Sequence, residues 1–284
     1  MITTAARSKV NLFLHVTGKR DDGYHLLESL VVFPDWGDRI TVKRSKDLTL
    51  EVTGHFAHSI GSTEENLVLK AAHLLKSESG ADAGAHMILE KNLPVAAGIG
   101  GGSADAAATL KILNTLWNID FSDERLSQLG LTLGADVPVC LYGRPAIMSG
   151  IGGQVSGLQK FPKFYILLVN SRISVATRDV FSRLKTQKEI FSPVDLNELT
   201  ARQLFTDLTS MRNDLEAPAL EIAPVIGSIL SMIRKQKHCQ LARMSGSGAT
   251  CFGLFEEEEA AMAAARDIQA HRPEWWVKAA AVGP

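Results

Sequence analysis

The chain has 284 residues, room for one or two domains whose core needs no covalent staples. Hydrophobic residues make up 45% and charged residues 21%, and 30 Lys plus Arg against 31 Asp plus Glu leave a net charge of −1, a balance that argues against a dedicated nucleic-acid binder. The cysteines Cys140, Cys239 and Cys251 are odd in number and form no C-x-x-C pair, so neither a disulfide framework nor a cysteine zinc site is expected.

The segment after Met1 lacks the apolar core of a signal peptide. The longest apolar runs, such as Tyr165 to Val169, are too short for a bilayer. A cytoplasmic protein with no membrane partner is expected.

In chain order, Val10, Leu12, Leu14 and Val16 alternate with Lys9, Asn11, Phe13 and His15, the period-2 pattern of a strand with one core face. Lys9 and Asn11 then share the opposite face, about 7 Å apart. Gly18 to Gly23 is polar and turn-rich. Leu26 to Phe33, Ile40 to Arg44 and Leu48 to Val52 read as strands. Leu67, Ala71, Leu74 and Leu75 give a helix over Asn66 to Lys76 that stops at Gly80. His86 to Glu90 is a short strand. An alanine-rich helix from Ala104 to about Trp117 follows a glycine loop, and Ser122 or Asp123 caps another to Leu133. Ala146 to Val155 reads as a hairpin closed at Gly150 to Gly153.

A cluster of Gly, Lys and Pro at Gly157 to Lys163 suggests a boundary, dividing the chain into 1–160 and 161–284. Beyond it, Tyr165 to Val169 is a buried strand. Helices are expected at Thr177 to Lys185, Leu196 to Phe205 and Pro218 to Gln236. Leu241 to Met244 and Thr250 to Phe255 read as strands around a turn at Ser245 to Gly248. A helix from Glu256 to Ala270 and a strand from Trp275 to Val282 close the chain. With the extra helices set aside, the order is βαββαβ, a ferredoxin-like unit.

The strongest chemical signal is Pro94, Val95, Ala96, Ala97, Gly98, Ile99, Gly100, Gly101, Gly102, Ser103 and Ala104. Glycines between a strand and a helix let backbone approach an anion. The open N–H groups and dipole of the following helix, with Ser103 as its expected cap, favour phosphate. No Walker loop occurs, since Gly18-Lys19 continues with Arg20. Ser103 where a third glycine belongs makes a poor dinucleotide fingerprint. Met244-Ser-Gly-Ser-Gly-Ala-Thr250 is a glycine hairpin that also suits a loop lying against a ligand. Asp136, within Gly134-Ala-Asp-Val-Pro138, reads as a loop aspartate, either a turn former or a catalytic group.

Lys9-Val-Asn11, Pro94 to Ala107, Gly134 to Pro138 and Met244 to Thr250 together resemble the GHMP kinases, in order and spacing across the whole chain. Asp22-Gly-Tyr-His25 and Asn213-Asp-Leu-Glu216 resemble the branch whose acceptor is a cytidine diphosphate-linked methylerythritol. The resemblance implies an α+β, two-domain fold, its N-terminal half like the second domain of ribosomal protein S5 and its C-terminal half ferredoxin-like. It implies ATP and Mg²⁺, a small-molecule acceptor, no nucleic-acid partner, and a monomer or weak homodimer. Lys9 and Asp136 match the catalytic pair, and Pro94 to Ala104 match the ATP phosphate loop. Asn11, Tyr24 and His25 match residues around the cytidine, and Phe181 a second ring facing the base. No glutamate matches the magnesium ligand of mevalonate-type kinases, so the metal ligands stay unassigned. Some family members carry Asn where this chain has Asp105. Other GHMP kinases, acting on mevalonate, homoserine or a sugar, and a nucleotide- or RNA-binding module on an S5-like fold, are the alternatives.

Overall fold

The computed structural model describes residues 1–184 and 198–283. In chain order its elements are β1 (Ile2–Arg7), β2 (Val10–Asn11), β3 (His15–Lys19), β4 (His25–Val32), β5 (Gly37–Ser45), β6 (Leu48–Thr53), α1 (Leu67–Ser79), β7 (Gly84–Glu90), α2 (Gly101–Trp117), α3 (Asp123–Leu133), α4 (Val137–Tyr142), β8 (Ala146–Gly150) and β9 (Gln154–Gly157). They continue with β10 (Phe164–Asn170), α5 (Thr177–Ser182), α6 (Ala201–Thr209), α7 (Glu216–Ile222), α8 (Val225–Arg234), β11 (Leu241–Met244), β12 (Cys251–Phe255), α9 (Glu258–His271) and β13 (Trp276–Val282).

Three sheets organise these elements. One has the order β1-β5-β7-β6, with β6 and β7 parallel and the other pairs antiparallel. A second runs β2-β4-β8-β9, with β3 added to β4. The third, β11-β12-β10-β13, is antiparallel throughout. In order of appearance its strands lie 2-3-1-4, the arrangement of a βαββαβ ferredoxin-like unit, so the expected α+β class and ferredoxin-like C-terminal half are what the chain adopts.

Local signals explain several boundaries. The Asn66 side chain accepts the Val68 N–H and opens α1, and Gly80 at φ 67° ends it in the left-handed region where glycine is at ease. Ser122 caps α3. Ala104 to Leu110 of α2 are all buried, and its alanines let it lie close to α1 and to the first sheet.

Four expectations need correction. The Val10–Val16 segment is not one strand with a single core face. It is two short strands, and Val10, Asn11, Leu12, Phe13, Leu14 and Val16 are all buried, because both halves of the chain pack onto it. Val10, Leu12 and Phe13 share a cluster with Phe164, Ile166 and Phe252 of the third sheet. The helix expected from Pro218 to Gln236 is broken into α7 and α8, since Pro224 lacks the N–H that a continuous helix would need there. Asp136 is not in a simple loop but at the N-cap position of α4. β1 went unread, its alternation masked by threonines and alanines. Residues 185–197, part of two expected helices, lie outside the described residues.

One side chain ties the halves together. Arg243 of β11 is 7% exposed, and its guanidinium donates to the carbonyls of Leu12 at 2.7 Å, Leu208 at 2.8 Å and Met211 at 2.6 Å. Burial pushes its pKa down to about 10, with Glu216 opposing, so the charge persists at neutral pH. Replacing it takes the guanidinium from three carbonyls at once, of which Leu208 alone keeps another donor among the described residues, the Met211 N–H. Arg243→Met is expected to cost about 3 kcal/mol in urea unfolding, and Arg243→Lys less, because an ammonium can still serve part of the set. A loss below about 1 kcal/mol in the Met variant would contradict this role.

Candidate active site

The segment before α2 leaves regular structure in two steps. Ala96 adopts φ 51°, and Gly98 and Gly100 follow at φ 72° and 63°. Gly100 takes the N-cap position of α2 in the left-handed region, and no side chain caps the helix. Ser103 is therefore not the cap: the helix starts at Gly101, three residues earlier than expected. The first-turn N–H groups stay free of side-chain partners, which leaves them for an anion.

A second glycine loop, between β11 and β12, lies directly on the first. Ser245 Oγ donates to the Gly98 carbonyl at 2.9 Å and accepts the Asn11 N–H at 3.1 Å. The Thr250 N–H reaches the Ala97 carbonyl at 3.1 Å. Both loops need glycine for this approach. A Cβ on Gly98 would stand 2.5 Å from the Ser245 carbonyl oxygen, and one on Gly246 would stand 2.7 Å from that of Gly98. Asn213 holds the second loop from behind, donating to the carbonyls of Met244 at 2.9 Å and Gly246 at 2.8 Å.

Lys9 and Asp136 meet beside the first loop. Lys9 Nζ donates to Asp136 Oδ2 at 2.7 Å. The Lys9 side chain is 5% exposed and that of Asp136 33%, so the pair is buried at the ammonium and open at the carboxylate. The Lys9 N–H bonds the Ile99 carbonyl at 2.9 Å, and a Cβ on Gly100 would crowd its stem at 3.2 Å. Asp136 does not cap α4 with its side chain, and the carboxylate is given to Lys9 instead.

These pieces line one cleft of about 510 Å³. Lys9, Asn11, Asp136, Phe181, Gly246 and Ser247 border it, as do Pro94 to Gly98 and Gly100 to Ser103. The side chains of two loop residues turn away: Ile99, 1% exposed, packs with Val10 and Phe252, and Ala104, 3% exposed, faces the α2 core. Asn11 is fully buried, and its amide donates to Ser29 Oγ at 2.7 Å while its Oδ1 has no partner among the described residues. Thr177 and Ser247 close one side of the cleft, their hydroxyls 2.8 Å apart.

At the aromatic end Tyr24 is 64% exposed. His25 meets Phe181, its ring stacked on Phe181 with centroids 4.9 Å apart and planes 25° from parallel. Burial, then the nearby Lys19, lowers the His25 pKa, which favours the neutral ring at pH 7.

Sequence reasoning missed a buried triad under the first loop. Lys91 Nζ bonds Asp38 Oδ2 at 2.5 Å and Asp105 Oδ2 at 2.6 Å, and all three residues are at most 3% exposed. Three residues so far apart in the chain carry no shared pattern. The one available signal was a carboxylate among the alanines of α2. Asn66 and Leu67, at the far end of the cleft, were also unread.

A strand-to-helix glycine loop packed on a second glycine loop, with a lysine–aspartate pair between them, defines a small-molecule kinase cleft, and the comparisons agree. The family model for the GHMP kinase N-terminal domain matches residues 66–144, and that for the GHMP kinase C-terminal domain matches residues 196–274. The chain belongs to the GHMP kinase family, whose members are ATP-dependent kinases. A 4-diphosphocytidyl-2-C-methyl-D-erythritol kinase of Parvibaculum lavamentivorans is 48% identical over 99% of this chain and 98% of its own length. That of Paramagnetospirillum magneticum is 48% identical over 96% of this chain and 95% of its own. A crystal structure of a 4-(cytidine 5'-diphospho)-2C-methyl-D-erythritol kinase matches with a TM-score of 0.80 and 31% identity, covering all of both chains. The homoserine kinase of Cytophaga hutchinsonii, at 17% identity and a TM-score of 0.70, shares the fold.

The loop contact gives a direct test. Gly98→Ala places a methyl group into backbone and strains a positive φ. It should lower the melting temperature by several degrees, about 1–3 kcal/mol, and weaken the binding of both substrates together. An unchanged melting curve would show that the two loops are not held this tightly.

Proposed function

We infer that this protein transfers the γ-phosphoryl group of ATP to the 2-hydroxyl of 4-diphosphocytidyl-2-C-methyl-D-erythritol, a step of the non-mevalonate route to isoprenoid precursors. The observation that carries the reading is the Lys9–Asp136 pair, buried at one end and open at the other, beside a helix N-terminus that no side chain caps. Full-length identity of 48% to two kinases of that name supports the substrate.

Phosphoryl transfer passes through a loose, metaphosphate-like transition state, so the protein's work is positioning and charge stabilisation. The free N–H groups of Gly101, Gly102 and Ser103 suit the triphosphate. A side chain at Gly101 or Gly102 would intrude, since a Cβ on Gly101 already lies 3.3 Å from Lys91 Nζ and one on Gly102 3.3 Å from Leu67. Asp136 accepts the acceptor's hydroxyl proton through Oδ1, which makes no hydrogen bond among the described residues, while Oδ2 stays with Lys9. Lys9 orients that carboxylate and faces the transferring group. Bound with the nucleotide, Mg²⁺ neutralises phosphate charge. Among the described residues no cluster of three or more His, Cys, Asp or Glu could hold it, so phosphates and waters are its main ligands in this reading.

The cytidine end lies at Phe181, Thr177 and His25. Stacking there contributes about 1–3 kcal/mol per base and is indifferent to base identity, so the neutral His25 and nearby backbone read the base edge. The His25–Phe181 stack fills the slot, so base entry moves the imidazole off the ring. Tyr24, exposed on the same loop, is free to supply the second face. A division near residue 160, where β9 gives way to the third sheet, separates the part that carries the phosphate loop from the part that carries Phe181. Cytoplasmic placement accords with three free cysteines.

Asp136→Asn should keep the fold and lower kcat by about 10²–10⁴. Near-normal turnover in the folded variant would remove Asp136 from the mechanism. Phe181→Ala should raise KM for the cytidine substrate about tenfold or more while sparing KM for ATP. Equal loss for both substrates would place Phe181 in the packing instead.

A further inference from the structure

A carboxylate in the second turn of a helix that takes anions at its N-terminus needs explaining, because like charges in a poorly solvated site repel. Asp105 is that carboxylate: the fifth residue of α2, 3% exposed and bordering the nucleotide cleft. It does not stand alone. Its Oδ2 accepts one N–H of the Lys91 ammonium at 2.6 Å, and Asp38 Oδ2 accepts another at 2.5 Å.

The two carboxylates are unequal. Asp38 Oδ1 accepts the backbone N–H groups of Asn92 at 2.6 Å and Leu93 at 2.8 Å, so Asp38 receives three donors. Asp105 receives one, and its Oδ1 is buried without a partner among the described residues. Hydrogen bonds to the charged form stabilise it, so a proton shared by this cluster resides on Asp105 and not on Asp38. With Asp38 and Lys91 charged and Asp105 neutral, the triad sums to zero. Lys91 Nζ, meanwhile, sits directly beneath the phosphate loop, 3.3 Å from where a Cβ of Gly101 would be.

We propose that Asp105 is a positioning residue that works as an uncharged carboxylic acid, holding Lys91 beneath Gly101 without placing negative charge under the bound triphosphate. The proposal rests on the cleft being the ATP site. Burial supports it, pushing the Asp105 carboxyl up to about 8, with Lys91 opposing and Asp38 adding. For Lys91, burial works against the ammonium, but Asp105 and Asp38, to both of which it donates, raise its pKa overall. The Cys140 thiol of α4 also feels Asp105: burial and then Asp136 push it up, Lys9 pulls it back and Asp105 adds to the rise, so it stays neutral. An amide has the same shape, donates and accepts, and carries no charge, so Asp105→Asn reproduces the neutral acid's bond to Lys91 at every pH.

The sign of the pH effect follows. Below about pH 8 the acid is protonated and the triad neutral; above it, one negative charge appears under the loop and triphosphate binding weakens. The test is the affinity for Mg²⁺ and a non-hydrolysable ATP analogue, by titration calorimetry from pH 6.5 to 9.5, in the wild type and in Asp105→Asn. The triphosphate's own ionisation is shared by both proteins and cancels in the comparison. Wild-type Kd should rise on the order of tenfold relative to the Asn variant as pH passes 8, with the two within about threefold at pH 7. Asp105→Leu, which cannot bond Lys91, should bind more weakly at every pH. Parallel wild-type and Asn curves would overturn the proposal. So would carboxyl ¹³C NMR of the unliganded wild type in which every aspartate titrates below pH 6, a readout that needs no variant to fold. Absence of nucleotide binding by the wild type at any pH would instead contradict the kinase reading itself.

Discussion

Burying the charged end of a lysine costs stability unless an opposite charge meets it, and in this chain the pairing of Lys9, 5% exposed at its side chain, with Asp136 organises the site. Lys9 is fixed between β1 and β2 by its backbone bond to Ile99, and Asp136 by the N-terminus of α4. The partners lie 127 residues apart, so the pair forms only when the first sheet, α2 and α4 have assembled around it. Because Asp136 remains one-third exposed, one end of the pair is buried in the structure and the other is open to the cleft.

The glycine loops follow from the same constraint. Lys9 reaches Asp136 along the wall formed by Gly100, where a side chain would press on its stem. Gly98 continues that wall into contact with Ser245 and Gly246, which brings the ferredoxin-like half against the phosphate loop. Arg243, one residue before the second loop begins to turn, anchors it to Leu12 of the segment that carries Lys9 and Asn11. The two glycine loops and the segment that carries Lys9 and Asn11 are thus tied together by side-chain and backbone hydrogen bonds.

Much of this was legible in the sequence, for identifiable reasons. A run of glycines between a strand and an alanine-rich helix has few uses other than backbone approach to an anion, so the loop could be read from residues alone. The partnership of Lys9 with Asp136 could not: it rested on family resemblance, because pattern reasoning sees neighbours and not residues brought together by folding. The Asp38–Lys91–Asp105 triad stayed hidden for the same reason. Val10 to Val16 misled because alternation looks the same whether the second face meets solvent or another half of the protein. Ser103 was taken for a cap by residue type, whereas Gly100, with no side chain to offer, holds that place by its positive φ. The direct stack of His25 on Phe181 was not legible either, because two adjacent aromatic residues in a turn-rich stretch do not decide which of them meets a ring from the other half.

The central claim is that Lys9 and Asp136 act as one unit in phosphoryl transfer. A double-mutant cycle with Lys9→Met, Asp136→Asn and both together, read by single-turnover transfer from ATP to 4-diphosphocytidyl-2-C-methyl-D-erythritol, tests it most directly. Residues that act as a unit lose their contribution once, so the double variant should fall within about tenfold of the slower single variant. Losses that multiply across the cycle would contradict the claim.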